Sequence, residues 1–163
     1  MKKILLFLIF LLFFTGCSKK NAFFAFGMEQ TQELSASSLQ SSKIISKESD
    51  VKGFFSAIYL NEVEPQSFGG DEYFLIFLYL KDAKELYNPQ NPTASDLQLT
   101  LNSKLPIKVE KLPKENQFSK FTERKNEWSD CYLVTFEPTE KLTLFLKDEH
   151  SAAATTLRYK KED

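Results

Sequence analysis

The sequence predicts an all-β fold, an antiparallel sandwich of about seven short strands. Three observations predict it. From Val51 onward, runs rich in aromatic and β-branched residues recur at short intervals, with Pro, Gly, Asn and Asp gathered between them. Several runs keep a strict period of two, so alternate side chains point to opposite faces. No helical period persists over three turns in this part of the chain.

Taken in order, the first run is "FFSAIYLNEV" (Phe54–Val63), whose aromatic and branched residues favour a pleated surface. "EPQSFGGDE" follows, with Pro65 and the Gly69-Gly70 pair as a turn signal. "YFLIFLYL" (Tyr73–Leu80) is unbroken apolar sequence, which fits a strand buried on both faces or a sheet with an aromatic outer face. "LQLTL" (Leu97–Leu101) and "LPIKVEKL" (Leu105–Leu112) place Leu97, Leu99, Leu101, Leu105, Ile107 and Val109 at one parity, predicted to face inward. "CYLVTFEP" does the same for Tyr132, Val134 and Phe136, and "KLTLFLK" for Leu142, Leu144 and Leu146. "TTLRYKK" closes the chain as a partly charged last strand. The β-sandwich domain is therefore drawn over residues 51–163.

Ahead of it the composition changes. Seven Ser lie between Leu34 and Asp50 among Gln, Lys and Glu, with no aromatic residue. Such a segment buries too little apolar area to offset its ordering entropy, so residues 17–50 are predicted to be a flexible, Ser-rich tether. Leu34, Leu39, Ile44 and Ile45 offer an alternative, a weak helix or an edge strand. "AFFAFGM" (Ala22–Met28) fits either a lipid interface or a first strand.

The first residues explain what a tether would serve. Lys2 and Lys3 precede an apolar run from Ile4 to Phe14, the layout of a secretory signal. At about 1.5 Å per residue the run reaches roughly 16 Å, half of a hydrocarbon core of about 30 Å, and is too short for a span. Phe14-Thr15-Gly16-Cys17 resembles the lipobox of bacterial lipoproteins, with Phe14 where that family usually has Leu. The resemblance implies removal of residues 1–16 and a diacylglyceryl thioether on Cys17, with a further acyl chain on the new N-terminus. More than one chain is needed for stable anchoring, at about 0.8 kcal/mol per buried methylene. Ser18 stands where inner-membrane retention typically uses Asp, so the same analogy implies the outer membrane, on its periplasmic face or at the cell surface.

For the folded part, "DEYFLIFLYLKD", "SDLQLTLNSKLPIKVEKL" and "CYLVTFEPTEKLTLFLKD" together resemble the telokin-like variants of the immunoglobulin fold found in bacterial lipoproteins. The resemblance implies an immunoglobulin-like sandwich, although the Cys…Trp…Cys hallmark is absent because Trp128 stands just before Cys131. The Phe- and Lys-rich, Gly-poor usage is similar to that of small lipoproteins of Campylobacter-like bacteria.

Composition excludes several chemistries. Without residues 1–16, the 21 Lys and Arg fall to 19 against 22 Asp and Glu, a net charge of −3, which does not suit nucleic acid. A structural zinc needs about four Cys or His ligands, and beyond Cys17 only Cys131 and His150 remain. No metal and no cofactor is predicted. The five glycines, at 16, 27, 53, 69 and 70, form no phosphate-binding loop. His150, between "KDE" and "SAAA", reads as a solvated turn residue rather than a catalytic base. Cys131, inside a strand-like run, reads as a small buried hydrophobe rather than a reactive thiol. No catalytic residue is nominated.

Surface recognition remains. "ENQFSKFTERKNEW" (Glu115–Trp128) carries Phe118, Phe121, Arg124 and Trp128 among mixed charges, residue types that dominate interface energetics. These four are the predicted partner-binding residues, the competing reading being that the rings cap the core. The Pro-containing segment Ala83–Asp96 is a second recognition or spacer loop. The sequence thus predicts a lipid-anchored, non-enzymatic envelope protein binding a protein or glycan, in adhesion or envelope assembly. The alternative is a small-ligand carrier or inhibitor in the periplasm.

Overall fold

The computed structural model describes residues 30–92, 96–121 and 128–161. The expected signal peptide, Cys17, Ala22–Met28 and Arg124 lie outside the described residues. The elements are α1 (Gln30–Ser38), β1 (Gln40–Ile45), β2 (Val51–Tyr59), α2 (Leu60–Val63), β3 (Glu72–Leu80), β4 (Leu97–Leu101), β5 (Lys108–Leu112), a 3-10 helix (Gln117–Phe121), β6 (Asp130–Phe136), β7 (Leu142–Asp148) and β8 (Ala154–Tyr159). The seven runs read from the sequence correspond to β2 through β8, except that Leu60–Val63, read as the end of the first run, is the helix α2, and the run from Leu105 becomes strand only at Lys108.

All eight strands form one antiparallel sheet, in the order β4-β7-β8-β1-β2-β3-β6-β5. It curls until its two edge strands meet the same short segment. On one side Leu86 bridges to Leu97, and the Tyr87 N–H donates to the Leu97 carbonyl at 2.8 Å. On the other side the Gln90 side-chain amide donates to the Ile107 carbonyl at 3.3 Å and accepts from the Val109 N–H at 3.5 Å. Part of the segment expected to be a recognition or spacer loop therefore occupies both sheet edges, which left open are a template for aggregation.

The inner face carries the main core. Phe55, Ala57 and Tyr59 of β2, Phe74, Ile76 and Leu78 of β3, and the predicted alternating sets of β4, β6 and β7 converge there, with Val109, Leu157 and Tyr159. Phe74 sits at its centre, its ring 5.1 Å from Tyr59, 5.6 Å from Tyr159 and edge-on to Phe136 at 6.0 Å. Leu105 and Ile107, expected inward, are exposed. The Leu101–Lys104 bridge closes a tight turn and β5 begins only at Lys108, so the parity of β4 does not carry across.

The tether prediction is also corrected from Gln30 onward. Residues 30–38 are helical, and Gln40–Ile45 is a strand paired to β2 over its whole length. Its polar composition is compatible with a central position because the ladder needs backbone groups, not apolar side chains. Only Ile44 enters the core, while the Gln40 side chain itself bonds the backbone of Arg158 on β8.

A close approach between β2 and β3 depends on Gly53, where a Cβ would lie 2.1 Å from the Tyr79 carbonyl oxygen. That contact fixes the end of the β2–β3 pair at which the open surface described below lies.

Candidate functional site

On the outer face of the same strands, β2 presents Phe54, Ser56 and Ile58, and β3 presents Leu75, Phe77 and Tyr79. Register pairs Ile58 with Leu75, Ser56 with Phe77 and Phe54 with Tyr79. Ile58 and Leu75 are fully buried, in a second apolar cluster with Leu60, Val63, Phe118 and Phe121. Leu34 of α1, Phe68 and Leu133 pack against that cluster. Phe118 lies 5.9 Å from Phe121 and 6.2 Å from Phe68. These two rings, predicted to be offered to a partner, are a roof over the sheet and only 5% exposed. The competing reading, that the rings cap the core, is the one the structure shows, because β3 and the Ile58 end of β2 are apolar on both faces and burying the second face gains about 25 cal/mol per Å².

The roof does not reach Phe54, which is 48% exposed. Its ring stands 6.2 Å from Tyr79 at 35°. β6 begins at Asp130, so Trp128 and Ser129 leave the sheet beside this pair. The result is a groove of about 310 Å³ lined by Phe54, Ser56, Phe77, Tyr79, Trp128 and Ser129. Trp128 is 81% exposed. Ser56 is held in place by a 2.8 Å hydrogen bond between its hydroxyl and that of Ser41 on β1. Of the four residues predicted to meet a partner, Trp128 alone is placed at this groove, and Arg124 lies outside the described residues. The sequence reading missed Phe54, Phe77 and Tyr79. Their signal was the aromatic content of "FFSAIY" and "YFLIFLYL", already compatible with an aromatic outer face.

A second, polar cavity of about 360 Å³ is lined by Tyr59, Asn61, Glu62, Gly70, Asp71, Glu72, Lys160 and Lys161. Its centre is the buried Glu72 carboxylate, which accepts from Tyr59 Oη at 2.5 Å, Lys161 Nζ at 2.8 Å and the Thr139 N–H at 3.1 Å. Burial alone would raise the Glu72 pKa, but the Lys161, Tyr59 and Thr139 donors outweigh it and hold the carboxyl below its usual range. Burial and the Glu72 carboxylate push the Tyr59 phenol up, so it stays a donor. Both carboxylate oxygens are engaged, and this group fastens the start of β3 to the β6–β7 connection and to the chain after β8.

Asp148 plays the same part at the end of β7. It receives the Lys84 ammonium, the Ser151 hydroxyl and the backbone N–H groups of His150 and Ser151. Burial opposes its ionisation, but these donors hold it well below the ordinary carboxylate range. His150 lies on the adjoining turn, 70% exposed, with Nε2 3.3 Å from Asp96 Oδ1. Cys131 is half-buried against the outer cluster, and burial, with Asp130 nearby, pushes its thiol up to about 12.

The groove differs from these polar clusters in kind. Its side chains carry no charge and offer ring faces and hydroxyls, the equipment for holding a ligand by stacking and hydrogen bonding. No family model, no curated protein and no solved structure matches this chain.

Proposed function

We propose that this protein is a lipid-anchored, non-enzymatic envelope protein that uses its aromatic groove to hold a partner. Cys17, acylated after removal of residues 1–16, ties it to the outer membrane, and the β-rich body stands in the aqueous phase. In this reading the curled sheet is an immunoglobulin-like sandwich, its two halves acting as layers over a shared core. One observation carries the functional part: Phe54 and Tyr79, on the paired strands β2 and β3, and Trp128, just ahead of β6, are gathered at one open groove. Exposed aromatic clusters of this kind mark binding sites more often than chance surface. A small-ligand carrier is the second reading, favoured by the volume of about 310 Å³, near the lower bound of small-molecule clefts, about 300 Å³.

Photo-crosslinking in whole cells tests the groove. The wild-type chain is expected to capture a component that a Phe54→Ala/Trp128→Ala double variant loses, and equal capture by both refutes the site. Palmitate labelling tests the anchor: it should vanish in Cys17→Ala, and label retained in that variant places the lipid elsewhere.

A further inference from the structure

We propose that the groove is a subsite for an uncharged oligosaccharide, with a pyranose ring stacked on Phe54, Tyr79 and Trp128. This rests on the partner-binding reading above and narrows it to one ligand class. Charge is the first argument. Every lining side chain is neutral, in a protein whose sequence is 26% charged. Of the described charges beside the groove, Lys52 pairs with Asp50 at 3.5 Å and Asp130 with Lys111 at 2.8 Å, while Lys43 of β1 stands opposite Phe54 at the rim. A ligand seated on the rings meets no counter-charge in the lining itself, so a neutral ligand gives up the least hydration there. Shape is the second. A groove of about 310 Å³ lies at the lower end of small-molecule clefts, roughly 300–1,000 Å³, which suits a subsite for one unit of a longer ligand.

Chemistry is the third argument. A pyranose presents a patch of C–H bonds with partial positive charge on one face, and hydroxyls around its rim. The negative faces of aromatic rings attract the former, and the hydroxyls of Ser129 and Tyr79, with the capacity left to Ser56 beside its bond to Ser41, meet the latter. Phe54 and Tyr79 stand on paired strands, so no backbone ordering at these two positions opposes binding.

Trp128 is the chain's one Trp, so its emission reports directly on the groove. The test uses the full lipidated chain in a sugar-free detergent, titrated with chitotetraose, cellotetraose and maltotetraose, and with a sialylated oligosaccharide as the charged comparison. At least one neutral oligosaccharide should give a saturable blue shift, and the sialylated one should bind more weakly. Phe54→Ala should weaken binding about tenfold, equivalent to about 1.4 kcal/mol. Ser56→Lys should weaken it similarly while the thermal melt, recorded in parallel, stays in place. No shift with any neutral sugar, or a shift unchanged in both variants, overturns the assignment. A bare polypeptide crosslinked through the groove, with no sugar response, also overturns it and leaves the partner-binding reading standing. Equal crosslinking by the Phe54→Ala/Trp128→Ala variant removes that broader reading as well.

Discussion

The outer surface of the sheet has two halves made from the same kind of strand, and they meet different ends. Over β2, β3 and β6 the outward positions include Phe54, Ser56, Ile58, Leu75, Phe77, Tyr79 and Leu133, and α1, α2 and the 3-10 helix cover the end that holds Ile58 and Leu75. Over β4, β7 and β8 the outward positions are Gln98, Thr100, Thr143, Phe145, Lys147, Thr156 and Arg158, of which Thr100 is buried and the others are open to water to differing degrees. The inner face is alike in both halves. Period two decides which side chains enter the shared core, and the polarity of the intervening residues decides whether the other face needs a cover. The groove is the stretch of the apolar half that the cover leaves open.

The largest expected effect tests the shared inner face. Phe74→Ala removes a ring that is fully buried among three other aromatic residues, and should cost about 3–5 kcal/mol in urea unfolding, because the surrounding sheet cannot collapse into the hole.

Phe118→Ala tests the roof. The loss should be about 2–3 kcal/mol, near the transfer value, since a surface segment relaxes where a closed core does not. Hydrogen exchange sharpens the contrast. Amides of α1 and the 3-10 helix should lose protection, while those of β4, β7 and β8 keep it. Equal loss across the sheet means that the two halves are not separable.

Each half also has one carboxylate fastening, Glu72 in the roofed half and Asp148 in the open half. Both are held below their ordinary pKa. Their contribution is therefore fully present above about pH 5 and is lost as the pH falls through and below the usual carboxylate values near 4. Urea midpoints measured from pH 7 down to pH 3 should fall accordingly. Asp148→Asn should lower neutral stability by about 1–3 kcal/mol and flatten part of that acid slope. An unchanged slope would sink the assignment.

The smallest effect belongs to the open half. Arg158→Ala, on the exposed side of β8, should change stability by no more than about 0.5 kcal/mol. A loss of several times that amount would reveal a hidden cover there.

How much of this was legible in the residues varies along the chain. Leu97, Leu99, Leu101, Leu142, Leu144 and Leu146 read correctly because each strand is short, regular and apolar at one parity only. β1 was legible only as the alternative to a tether, and then as an edge strand, because Ser41, Ser42 and Lys43 carry no apolar signal and its central place is fixed by backbone pairing with β2 and by Gln40 against Arg158. Phe118 and Phe121 were visible as aromatic residues, but whether they cover a core or meet a partner depends on Ile58 and Leu75, far away in sequence. At the groove, Trp128 was singled out from sequence, whereas Phe54 and Tyr79 became a pair only through the β2–β3 register.

Local patterning by itself determined the all-β class, the positions of β2 through β8 and most of the inner core, because alternation is a property of neighbouring residues. Only the tertiary structure decided the strand order, the entry of β1 between β8 and β2, the sealing of both edges by Leu86–Gln90, and the division of the outer aromatic residues between roof and groove. Those outcomes depend on which distant backbones pair and how far a covering segment reaches, and neither is written in the spacing of any one stretch of chain.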